Sequence, residues 1–96
     1  MVTMNDIRSR RSDILAIANR HGAHRVRVFG SVVTGKQNPD SDLDLLVDLD
    51  ETRSLLDQIA LANELQDLLH CKIDVVDDQA VSPNIKQGIL AEAVEL

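Results

Sequence analysis

Leu43, Leu45, Val47 and Leu49 alternate with Asp42, Asp44, Leu46 and Asp48, a period of two that predicts a strand with one apolar face. Upstream, Ile7, Ile14, Leu15 and Ala18 fall near one face of a 3.6-residue period. They predict a helix over about 5–21, with Asn5 or Asp6 as its cap and Gly22 as its stop. Residues 25–29 follow, with Val26 and Val28 at alternating positions and Gly30 behind Phe29, and read as a short strand ending in a tight turn. The stretch 30–41 carries Gly30, Gly35, Pro39 and mostly polar side chains, so a loop with no more than a turn of helix is expected.

Ser54 and Asp57 make a capping box, and Leu55, Ile59, Ala62, Leu65 and Leu69 recur at helical spacing, which predicts a helix over 53–69 with those residues inward. Residues 72–77 read as a third strand, with Ile73 and Val75 on one face and Asp74 and Val76 on the other. Ser82 ahead of Pro83 opens a third helix that can turn Ile85, Ile89 and Leu90 to a core and is weakened by Gly88. Residues 93–96 are an edge strand or a frayed end. The order helix, strand, strand, helix, strand, helix predicts the α/β class, a small sheet covered by helices.

At 96 residues the chain is expected to form one domain, residues 1–96, because this length closes a single hydrophobic core. Apolar residues make up 44% but never run far enough to span a bilayer, and no cleavable apolar leader follows Arg8, Arg10 and Arg11, so a cytoplasmic protein away from membranes is expected. The single cysteine, Cys71, excludes an internal disulfide and Cys-type zinc sites, and is expected in or near the core. His21, His24 and His70 sit near helix ends without metal-ligand pairing, which suits capping or surface roles.

Charge is uneven. Residues 1–36 hold seven Lys or Arg against two Asp, and residues 37–96 hold three against fourteen Asp or Glu, within a net charge of −6. An acidic chain with one aromatic, Phe29, is poorly equipped for direct nucleic-acid binding, which draws on many cations and on stacking surfaces. The basic first helix suits either an acidic partner or plain solvation.

The chemistry concentrates between Phe29 and Leu45. A Gly30-Ser31 turn leaves one strand, and Asp42-x-Asp44 opens the next. Strand residues two apart project from one face about 6 to 7 Å apart, so Asp42 and Asp44 can converge. Two adjacent carboxylates are tolerated when a divalent cation lies between them, and such hard oxygen ligands favour Mg²⁺ or Mn²⁺ over zinc. Gly30 permits close backbone approach, and the Ser31 N–H and hydroxyl can hold a phosphate oxygen. Carboxylate-bound metal beside a phosphate cradle points to nucleoside triphosphate chemistry. The bland alternative is an edge strand that carries Asp42 and Asp44 as charges against aggregation. Thr34, Lys36 and Ser41 are equally able to be turn residues, and Asp48 and Asp50 run away from the loop towards solvent or a partner.

The pattern Gly30-Ser31, Gly35, Ser41-Asp42-x-Asp44-Leu45, followed by a helix and a strand bearing Asp74, resembles the minimal nucleotidyltransferases of the DNA polymerase beta superfamily, in particular the antitoxins of HEPN/MNT toxin–antitoxin pairs. The resemblance spans nearly the whole chain. It implies a polymerase beta-like fold, a small mixed β-sheet flanked by helices. It also implies an enzyme that uses Mg²⁺, with Mn²⁺ as a substitute, to move AMP from ATP onto a tyrosine of a HEPN ribonuclease partner and so silence that toxin. Carried over, Asp42, Asp44 and Asp74 are the catalytic and metal-binding carboxylates. Gly30 and Ser31 hold the distal phosphates, and Gly35, Lys36 and Ser41 complete the nucleotide-binding set. One departure stands out: where many relatives carry arginine before the second glycine, this chain has Thr34, and Lys36 offers a point charge without arginine's planar fork. A chain of 96 residues has no second domain to hold a small-molecule acceptor, so the acceptor is expected on another chain in a hetero-oligomer. The competing reading is a catalytically weak module of the same fold that neutralises the toxin by contact alone.

Overall fold

The computed structural model describes residues 1–96. In chain order the elements are α1 (Met4–Ser9), α2 (Arg11–Arg20), β1 (Ala23–Phe29), α3 (Ser31–Thr34), β2 (Leu43–Leu49), α4 (Leu55–Leu69), β3 (Ile73–Asp77), a 3-10 turn (Asp78–Ala80), α5 (Pro83–Glu92) and β4 (Val94–Glu95). The strands form one mixed sheet in the order β3-β2-β1-β4. β1 pairs antiparallel with both β2 and β4, while β2 and β3 run parallel, joined through α4 as parallel neighbours require. The mixed sheet with flanking helices is the expected architecture.

The alternation of β2 sets the layering. Leu43, Leu45, Val47 and Leu49 are buried against the helices, where they join Val26 and Val28 of β1, Ile73 and Val75 of β3, Ile7, Ile14 and Ile17 of the first two helices, and Leu61, Leu65 and Leu69 of α4. Each such side chain contributes about 1.5 to 3 kcal/mol by leaving water. α2 packs on β1, α4 on β3, and the two helices on each other. The opposite sheet face therefore carries Asp42, Asp44 and Asp74.

Several local expectations are corrected. The first helix is two, broken at Arg10, and its cap is Thr3 rather than Asn5 or Asp6, with Thr3 and Asp6 closing a capping box. At the break the Ser9 hydroxyl donates to the Asp6 carbonyl at 2.7 Å and competes with the helical ladder. β1 begins two residues earlier than expected and carries a bulge, at which Arg25 adopts φ 51°. On α4 the inward face is Leu61, Leu65 and Leu69, whereas Leu55 is 67% exposed and Ile59 is also exposed. Gln58 takes the inward place in that first turn and donates from Nε2 to the Val75 carbonyl at 2.6 Å. α5 buries no residue, and Ile85 and Leu90 face solvent instead of a core.

A polar network holds α5. Arg27 and Asp78 are among the buried residues, and Arg27 Nη2 donates to Asp78 Oδ2 at 2.6 Å. Lys86 of α5 pairs with the other carboxylate oxygen. The bond from Lys86, outweighing the cost of burial, and those from Arg27 hold the Asp78 carboxyl below the ordinary aspartate value of 3.8. A lowered folded-state pKa stabilises the fold above the unfolded value and loses that contribution as pH falls through the folded one. We predict that Asp78→Ala, which strands Arg27 in the interior, costs about 3 to 5 kcal/mol in urea unfolding at neutral pH. A loss under about 1 kcal/mol, the size of an exposed pair, would contradict this placement.

Candidate active site

The site is assembled at one end of the sheet, where β1 finishes and β2 and β3 begin. Register does the work. Phe29 lies opposite Asp44 across the antiparallel pair, and Asp44 lies beside Asp74 across the parallel pair. Asp42, two residues before Asp44, projects from the same face. The three carboxylates expected from the sequence are thus brought to one place on adjacent strands. Burial pushes the Asp44 carboxyl above the ordinary aspartate value, and the charges of Asp74 and then Asp42 push it further. The shift thus combines partial burial with repulsion from two acidic neighbours.

Gly30 closes the other side. Its φ of 80° and ψ of −153° lie in a region open essentially to glycine alone. A Cβ at that position would fall 3.2 Å from Asp44 Cγ and into its carboxylate. Glycine here lets the turn pass directly beside the central carboxylate. α3 then starts at Ser31, the N–H groups of Val33 and Thr34 turn back to the Gly30 carbonyl, and Gly35 caps the short helix with φ 77°. The first N–H groups of such a turn lie outside its own ladder, so Ser31 and Val32 can face a ligand. Thr34 points its hydroxyl towards the Gly30 and Ser31 carbonyls at 3.4 Å, a turn-stabilising role. Ser41 also shapes the loop, since its Oγ accepts from the Asn38 N–H at 2.9 Å. Lys36 is exposed just beyond Gly35.

Ser31, Ser41 and Asp42 share a cavity of about 30 Å³ with residues the sequence did not point to, among them Val2, Gln37 and Cys71. Gln37 ties this wall to the N-terminus by donating to the Val2 carbonyl at 3.1 Å. Contacts across such sequence distance leave no local pattern to read. Cys71 is half-buried beside the core, near where it was expected, and burial raises its thiol pKa. The histidines stand at element ends: His21 and His24 contact Glu64 and Asp50, and His70 caps α4 in a left-handed conformation. Asp50 points away from the carboxylate cluster to His24, and Asp48 receives a long 3.4 Å contact from Gln79.

A cavity of about 30 Å³ holds a water rather than a nucleotide, which needs hundreds of cubic ångströms or an open face. The carboxylates accordingly lie on an open surface. No three His, Cys, Asp or Glu side chains are gathered tightly enough to make a ready-made metal cage. The donor set still fits Mg²⁺, which takes one or two carboxylates and completes its shell with water and ligand phosphates.

Fold and site geometry together define a nucleotidyl-transfer enzyme, and the chain belongs to the polymerase beta nucleotidyltransferase family, whose model matches residues 12–96. Within that family it is a minimal nucleotidyltransferase. A solved structure assigned to that class superposes with a TM-score of 0.88 at 43% identity, over 99% of this chain and 97% of that one. The Methanocaldococcus jannaschii chain MJ0435, assigned as a protein adenylyltransferase, is 36% identical over 95 residues and 99% of both chains. The protein adenylyltransferase MntA of Thermococcus cleftensis is 38% identical over 78 residues, 81% of this chain and 79% of that one. The fold is also shared, at 19% identity and a TM-score of 0.71, with a structure of a tri-AMPylated Shewanella oneidensis HEPN toxin in complex with an MNT antitoxin, over 92% of this chain and 69% of that one.

Because the folded pKa of Asp44 lies above the unfolded value, its charge costs stability at neutral pH, and the cost fades as pH falls towards 3.8. In metal-free buffer Asp44→Asn is therefore expected to raise Tm at pH 7 by a few degrees, on the order of 1 kcal/mol or less for a partly exposed group. The gain should shrink near pH 4. A lower Tm at pH 7 would show that the carboxylate is held by stabilising contacts instead.

Proposed function

We propose that residues 1–96 act as a minimal nucleotidyltransferase domain that transfers AMP from ATP to a tyrosine hydroxyl of a HEPN-family toxin and thereby neutralises it. The observation that carries this reading is the meeting of Asp42, Asp44 and Asp74 beside the Gly30-Ser31 turn. The protein adenylyltransferase name of the Thermococcus relative and the AMPylated HEPN toxin found with a protein of this fold support the donor, the acceptor class and the partner.

Asp42 and Asp44 hold Mg²⁺, with Asp74 completing the set. A divalent cation held there would supply positive charge against the triphosphate. Gly30 and Ser31 receive the distal phosphates through backbone N–H groups and the Ser31 hydroxyl, with Gly35, Lys36 and Ser41 shaping the surrounding loop. The acceptor oxygen forms a bond to the α-phosphorus as the bond from that phosphorus to the bridging oxygen breaks. Pyrophosphate leaves, and the acceptor proton passes to Asp74 or to water. An open site without its own acceptor pocket suits an acceptor carried by another polypeptide, which makes a hetero-oligomer the working form.

Incubation of a lysate of the source cells with Mg²⁺ and ATP labelled at the α position should label one protein, and ATP labelled at the γ position should not. Asp42→Asn with Asp44→Asn should lower that labelling by at least about a hundredfold, as expected when several kcal/mol of transition-state stabilisation are lost. Label from the γ position, or α label undiminished in the double variant, would contradict the assignment. No label from either position while a HEPN protein co-purifies would mean neutralisation by contact alone.

A further inference from the structure

Lys72 immediately precedes β3, two residues before Asp74. The parallel ladder begins at Leu43 beside Ile73, so Lys72 and Asp42 each stand one residue ahead of its first pair. The Lys72 backbone is fixed there, because its carbonyl accepts from the Leu43 N–H at 2.9 Å. The side chain is exposed and lines a hollow of about 150 Å³ with Pro39, Asp40 and Ser41.

The cations around the sheet divide into those that are engaged and those that are not. Arg27 and Lys86 are bound to Asp78, and Arg25 to Glu95. Lys72 makes no ion pair within 4 Å even though its strand neighbours are acidic, and Lys36 makes none either. The two differ in placement. Lys36 follows the cap of α3 and lines none of the three hollows, whereas the hollow lined by Lys72 adjoins the cavity of Ser31 and Asp42, the two sharing Pro39 and Ser41. An anion entering from that side meets the Lys72 charge.

We infer that Lys72 is a nucleotide-binding residue, its ammonium meeting a phosphate oxygen of the bound nucleoside triphosphate from the β3 side. It supplies charge that Thr34 cannot. This rests on the nucleotide-transfer reading above and assigns the phosphate contact to the strand of the third carboxylate, where the sequence had pointed to Lys36. A lysine suits the place, since a flexible point charge can follow the phosphates without the fixed geometry of a guanidinium.

The test is calorimetric titration of the whole chain with α,β-methylene-ATP and Mg²⁺, together with titration by Mn²⁺ alone. Lys72→Ala should weaken the nucleotide analogue about tenfold, the size of one charged hydrogen bond. Lys72→Arg should restore affinity to within about threefold, since the charge is kept and only the geometry changes. Arg11→Ala, at an exposed cation on α2 that makes no ion pair, should stay within about twofold. Mn²⁺ affinity in the absence of nucleotide should not fall in Lys72→Ala, and its Tm should match the wild type. If Lys72→Ala binds the analogue as the wild type does, or loses Mn²⁺ and analogue together, the inference fails while the nucleotide reading stands. If the wild type binds no analogue, that reading fails and takes the inference with it.

Discussion

The parallel pairing of β2 with β3 is the constraint on which the site depends. It sets Asp44 beside Asp74, and a slip of one residue would turn either carboxylate into the apolar layer beneath. That slip is opposed by the core, because Leu43, Leu45 and Val47 on β2 and Ile73 and Val75 on β3 are all buried on the helix side. The hydrophobic effect thus holds three mutually repelling charges together on the opposite face. Gly30 is the second half of the same arrangement, since only a residue without a Cβ brings the end of β1 against Asp44.

Much of this was legible in the sequence, and the reasons are specific. The period of two in Leu43–Leu49 reports a strand buried on one face, and the pairing of Ser54 with Asp57 and of Ser82 with Pro83 reports helix starts, because each is decided within a few residues. The Gly30-Ser31 turn and Asp42-x-Asp44 carry their chemistry locally too. What local pattern cannot carry is which side of an element meets its neighbour. The inward face of α4 excludes Leu55 and Ile59, and α5 leaves Ile85 and Leu90 in solvent. Arg27, between Val26 and Val28, is 4% exposed, and its counter-charge comes from Asp78, fifty-one residues on. Asp74 entered through the resemblance, and nothing in the local pattern around Lys72 singled that residue out.

The charge distribution fits an open catalytic face. The acidic half of the chain supplies the carboxylates, and Asp44 bears the cost of burial and of its acidic neighbours Asp74 and Asp42 in a raised pKa. A minimal enzyme of this kind spends little of its surface on substrate enclosure. The Arg27–Asp78–Lys86 network, with Arg27 and Asp78 buried, ties α5 to the sheet.

The most direct measurement is a crystal structure of the chain with Mn²⁺ and α,β-methylene-ATP, using anomalous scattering to locate the metal. The account predicts a Mn²⁺ peak within about 2.0 to 2.3 Å of carboxylate oxygens of Asp42 and Asp44, with phosphate oxygens completing the shell and the triphosphate against the Gly30-Ser31 turn. Metal bound elsewhere, or a nucleotide lying away from that turn, would contradict it.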